Sequence, residues 1–96
     1  MVTMLVRCRV ADYDAWRADW LEAVQQHFEK GEVRSFRLWR GVGDPNLVFV
    51  AELFESREIA EAIMNDPAAQ EAMAAHGIDL SSLQVDLADE VESGTR

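Results

Sequence analysis

The stretch VTMLVRCRVADYDAWRADW, residues 2–20, changes its hydrophobic period once, and that change decides the fold. Val2, Met4, Val6, Cys8 and Val10 fall on one side, and Thr3, Leu5, Arg7 and Arg9 on the other, because side chains switch faces at every step of a strand. Asp12 then offers an N-cap, and the spacing lengthens. Tyr13, Trp16, Trp20, Val24 and His27 recur every three or four positions, with Leu21 and Phe28 beside them. That is an amphipathic helix running to about Lys30 and stopped at Gly31.

Working outward, VRSFRLWR (33–40) and LVFVAELFE (47–55) read as two strands joined by the turn chemistry of GVGDPN, a hairpin. Ser56 caps a second helix through REIAEAIMND, with Ile59, Ile63 and Met64 inward. Pro67 interrupts it, but proline suits a first helical turn, so PAAQEAMAAH restarts as a separate short helix ended by Gly77. IDLSS is expected as a loop, LQVDLADEVE (83–92) as the fourth strand, and SGTR as a loose tail. Residues 1–92 thus form one domain. The order strand, helix, strand, strand, helix, strand, with right-handed crossovers, predicts an α+β, ferredoxin-like four-stranded antiparallel sheet with its helices on one face.

The 96 residues hold 9 basic and 18 acidic side chains, a net charge of −9. Such a surface repels phosphate backbones and anionic lipid, so neither nucleic acid nor membrane is an expected partner. No segment approaches the length of a transmembrane helix, and the N-terminal run lacks the pattern of a cleaved leader. With Cys8 as the one cysteine there is no intrachain disulfide, and a cytoplasmic setting is expected.

On the helix-covered side the alternation places Val2, Met4, Val6, Cys8, Val10, Phe36, Leu38, Phe49, Leu53, Leu83, Val85 and Leu87. Opposite them it places Leu5, Arg7, Arg9, Arg37, Trp39, Val48, Val50, Glu52 and Asp86, and a one-residue slip in the hairpin would exchange faces. An open face that mixes apolar groups with charges of both signs is suited to a second copy of itself. A homodimer through that face is expected, with Arg7, Arg37, Glu52 and Asp86 pairing across or along the sheets. The bland counterpart is a solvated antiparallel sheet.

Three segments, VRCRVADYDAW, RLWRGVGDPNLVFVAELFES and AAQEAMAAHGI, carry a resemblance to the dimeric α+β barrel superfamily, spanning about Val2 to Glu92. Within it the chain resembles the small antibiotic-biosynthesis-monooxygenase-like and cyclase-like proteins. The resemblance implies a dimeric barrel with a ligand pocket between sheet and helices, here bounded by Trp16, Trp20, Val24, His27, Ile63 and Met73. It implies a small aromatic or polyketide-like ligand and cofactor-independent oxygenation or acid–base isomerisation or cyclisation. It also implies, for the oxygenases, Asn and Trp with Arg or His at the site. This chain departs from that set: its asparagines, Asn46 and Asn65, fall at a turn and a helix end, and Cys8 stands where the cyclase-like pattern often has His.

Among the residues themselves, Trp16 and Trp20 at helical spacing read first as core, with Trp20 the pocket residue of the two. His27 on the apolar stripe is a candidate general base, set against a core-edge histidine bonded to backbone. Arg7 or Arg37 could stabilise an anionic intermediate, Trp39 and Met73 could shape the ligand site, and Glu52 could act as a base if burial raises its pKa. The same charges also fit an interface ion-pair network. His76 suits a helix C-terminus, and no metal-ligand spacing is present. No cofactor is expected. Two other classes stay open: a non-catalytic dimerisation or ligand-sensing module, and a haem-binding protein using His27 or His76.

Overall fold

The computed structural model describes residues Met1–Arg96. Its elements run β1 (Val2–Val10), α1 (Tyr13–Glu29), β2 (Val33–Arg40), β3 (Leu47–Phe54), α2 (Arg57–Met64), α3 (Pro67–Ala75) and β4 (Ile78–Ala88). The four strands form one antiparallel sheet in the order β2-β3-β1-β4, and the helices cover one face, as the periodicity predicts.

Local chemistry explains the boundaries. The Asp12 carboxylate accepts from the amides of Asp14 and Ala15, Ser56 Oγ from Ile59, and the Asp66 carboxylate from Ala68 just beyond Pro67. Each satisfies amides that a helix start leaves without partners. Gly31 (φ 74°) and Gly77 (φ 84°) make the left-handed exits from α1 and α3, a conformation costly for any residue with a Cβ.

The fourth strand differs from expectation: it begins at Ile78, so IDLSS belongs to it, and it ends at Ala88. The reason is a bulge. Ile78 pairs with Val10 and Asp79 with Arg9, the register then shifts, and pairing resumes at Gln84 opposite Arg7. Inside the bulge the Arg9 amide donates to Ser82 Oγ, which donates to the Asp79 carbonyl, while the Ser81 amide and hydroxyl donate to the Asp79 carboxylate. Short polar side chains replace the missing ladder bonds, so a loop-like composition sits within a strand.

The third strand is turned over relative to the expected register. Met4 faces Glu52, Val6 faces Val50, and Cys8 faces Val48, so Val48, Val50, Glu52 and Phe54 point to the helices. Phe49 and Leu53 lie on the open face, the reverse of the sequence assignment. LVFVAELF is apolar on both faces except at Glu52, so alternation alone cannot orient it. The turn decides: the Gly41 amide donates to Leu47 O, the Leu47 amide to Asp44 O, and Arg40 pairs with Val48.

The core is divided. Val2, Met4, Val24, Val33, Phe54 and Ala60 form one buried cluster, and Cys8, Val10, Trp16, Val48 and Val50 another, with Val6 and Trp20 packed against both. Only 11 of 96 residues are buried, which leaves the middle of the layer unfilled and the far sheet face bare.

Candidate functional site

Between the two core clusters lies a cavity of about 630 Å³, enclosed by the sheet, α1 and the α2–α3 pair. Its floor is Met4, Val6, Cys8, Val50 and Val85. Its walls are Trp16 and Trp20 from α1 and Met73 from α3. The alanines Ala69 and Ala72 of α3 leave room that larger residues would occupy.

The aromatic stretch of α1 builds one wall. Trp16 and Trp20 stack with ring centroids 5.6 Å apart and planes 17° from parallel, and Trp20 meets Phe36 edge-on at 5.6 Å. Arg40 lies over the Tyr13 ring at 3.8 Å. Trp16 is 4% exposed and serves as core, while Trp20 is half-buried and carries a polar contact. Its indole Nε1–H donates to Glu52 Oε1 across 3.3 Å.

Glu52 is the one charged side chain that the sheet sends into the cavity. Burial pushes its carboxyl pKa upward, against the smaller opposing effects of the Trp20 hydrogen bond and the nearby His27. His27 also lines the cavity, with Nδ1 3.0 Å from Glu32 Oε1. His76 Nδ1 lies 2.8 Å from Asp19 Oδ2, a polar contact joining the end of α3 to α1. Burial raises the Cys8 thiol to about 11, so this floor residue is a protonated, unreactive group at neutral pH.

Of the candidate residues, the fold brings together Trp16, Trp20, His27, Glu52 and Met73. It separates them from Arg7, Arg37 and Trp39, which project from the opposite sheet face. There Leu5, Arg7, Trp39, Leu47, Phe49 and Asp86 line a shallow trough of about 830 Å³ near the hairpin, whose Asp44 pairs with Arg9. The trough is larger than the cavity but lies on a bare sheet face, whereas the cavity is bounded by the sheet on one side and the helices on the other. Asn46 sits in the turn, where its amide donates to Asp44, and Asn65 caps α2, so neither reaches the cavity. No three His, Cys, Asp or Glu side chains converge closely enough to hold a metal ion. The sequence reading missed Asp19, whose position three after Trp16 and four before Ala23 puts it on the flank of the apolar stripe.

No helix is long and apolar enough to cross a membrane. No protein-family model and no curated protein matches the sequence. Solved structures do match over nearly the whole length. SnoaB from Streptomyces nogalater, described as a cofactor-independent oxygenase and solved as a mutant, superposes with a TM-score of 0.76 at 10% identity, covering 96% of this chain and 94% of its own. A protein from Chloroflexus aurantiacus J-10-fl, provisionally described as an antibiotic biosynthesis monooxygenase, gives 0.69 at 20% identity, covering 99% and 98%. A Caulobacter crescentus CB15 protein of the same provisional description gives 0.74 at 16% identity, covering 95% and 90%. The likeness in architecture that the sequence motifs suggest is thus borne out: this chain has the ferredoxin-like α+β fold of the antibiotic-biosynthesis-monooxygenase-like proteins.

Proposed function

We propose that this protein binds a small, largely apolar ring compound in the cavity between sheet and helices and exchanges a proton with it through Glu52. The observation that carries the reading is the placement of Glu52: a carboxylate held by Trp20 in a largely apolar cavity, with its pKa raised by burial. A carboxyl so placed is poised to act as general base or acid nearer neutral pH than an exposed glutamate. His27 sits beside it as a second proton-exchanging group. The shared fold with a cofactor-independent oxygenase gives a precedent for chemistry on this architecture without a bound cofactor.

The open face belongs to the same proposal, as the contact between two copies of the chain. Its correct register makes it more apolar than the sequence reading allowed, with Phe49 and Leu53 joining Leu5 and Trp39. Leu5 is 43% and Trp39 48% exposed, beside Arg7, Arg37 and Asp86 as complementary charges. A self-complementary patch of this kind suits a two-fold dimer.

Titration with 1-aminoanthracene, a neutral apolar dye, tests the cavity. Saturable binding of about one dye per chain is expected, lost in Ala69→Trp, which fills the cavity from α3 while the circular dichroism stays native. Binding that survives Ala69→Trp but disappears in Trp39→Glu would move the site to the open face and overturn the proposal.

A further inference from the structure

The charges around the cavity are one-sided. No lysine or arginine lines it. The ionisable groups that face it are Glu52 from the sheet, Asp19 and His27 from α1, and His76 at the end of α3, and His27 is in turn matched by Glu32. Three carboxylates therefore stand against two imidazoles. With every carboxylate ionised and both imidazoles protonated the sum is −1, and with neutral imidazoles it is −3. Protonating Glu52 brings the first case to zero but never to a positive value. An anionic ligand, or an anion formed during reaction, finds no fixed positive charge here, because Arg7 and Arg37 stand on the other side of the sheet.

The features that remain favour the opposite sign. Glu52 Oε1 accepts the Trp20 indole N–H, whereas Oε2 accepts no hydrogen bond from the protein and is not sealed from the cavity. Trp20, half-buried and bonded to Glu52, lines the wall beside it, and an indole ring attracts cations. The net charge of −9 adds a field that draws cations towards the molecule.

We infer that the cavity selects a cationic ligand: an apolar ring compound bearing a protonated amine, seated with the ammonium against Glu52 Oε2 and the ring among Trp16, Trp20 and Met73. This rests on the reading of the cavity as the ligand site and adds the ligand's charge. An ammonium ion favours the ionised form of the carboxyl it contacts, so binding expels any proton that Glu52 carries in the free protein.

Three probes with one skeleton test the inference: 2-naphthylmethylammonium, 2-naphthylmethanol and 2-naphthylacetate, titrated calorimetrically into the full chain at neutral pH and low salt. The ammonium compound is expected to bind at least about tenfold more tightly than the acetate, with the alcohol between them. In Glu52→Gln the ammonium and the alcohol should converge to within about threefold. Equal or tighter binding of the acetate, or a preference for ammonium unchanged in Glu52→Gln, would overturn the inference while leaving the cavity as the ligand site. Failure of all three to bind would overturn both. The wild-type comparison is decisive by itself should the variant not fold.

Discussion

Trp20 Nε1–H and Glu52 Oε1 meet across 3.3 Å, 32 positions apart in sequence, and this bond ties the first helix to the third strand at the edge of the cavity. It satisfies the indole and holds one carboxylate oxygen while the other accepts no hydrogen bond from the protein. The cost lies in burying the carboxylate, whose protonated form the fold favours.

That preference gives a signed dependence on pH. A carboxyl whose folded pKa is raised supports the fold most fully below its unfolded value, and the support is lost as pH rises through the folded value. Glu52→Gln should therefore match the wild type at acid pH and exceed it at neutral pH, by about 1 kcal/mol. Urea denaturation at the two pH values measures the difference.

The two stacked tryptophans should separate by role. Trp16→Ala removes a buried ring and is expected to cost about 3–5 kcal/mol. Trp20→Phe keeps most of the packing and should cost about 1 kcal/mol. Because it deletes the donor that favours ionised Glu52, it should also move the pH at which stability falls upward, whereas Trp16→Phe should not.

Leu5 and Trp39 lie on the open face, away from the cavity. Introducing like charges there through Leu5→Glu with Trp39→Glu is expected to convert a dimer to a monomer in light scattering, with the far-ultraviolet dichroism unchanged. A wild-type chain that is monomeric at about 100 μM would contradict the paired-sheet account, since specific dimers of this kind hold at micromolar or lower Kd.

How far the fold can be read from residues depends on whether each element has one apolar face or two. β1 alternates cleanly and α1 is capped by Asp12, so both are legible from spacing, as are the hairpin and the restart at Pro67. β3 is apolar on both sides, and its single charge invites placement in solvent; the turn's hydrogen bonds, absent from any hydropathy pattern, set its register instead. The bulge of β4 hides for a similar reason, since Asp79, Ser81 and Ser82 have the composition of a loop. For the site, Trp16, Trp20, His27 and Met73 are legible as one stripe and its neighbour. Glu52 is recognisable as a candidate base, but its address is hidden by that same register. A charge where packing alone would place an apolar residue is a local inconsistency between hydrophobic pattern and fold.

The measurement that bears most directly on this account is the titration of the Glu52 side-chain carboxyl carbon by nuclear magnetic resonance, in the wild type and in Trp20→Phe. A carboxyl facing the cavity and held by the indole titrates above the ordinary glutamate value of about 4.3 and rises further in Trp20→Phe. A Glu52 that titrates at or below that value, unmoved by the loss of the indole N–H, would place it on the open face and remove the basis for the cavity as a site.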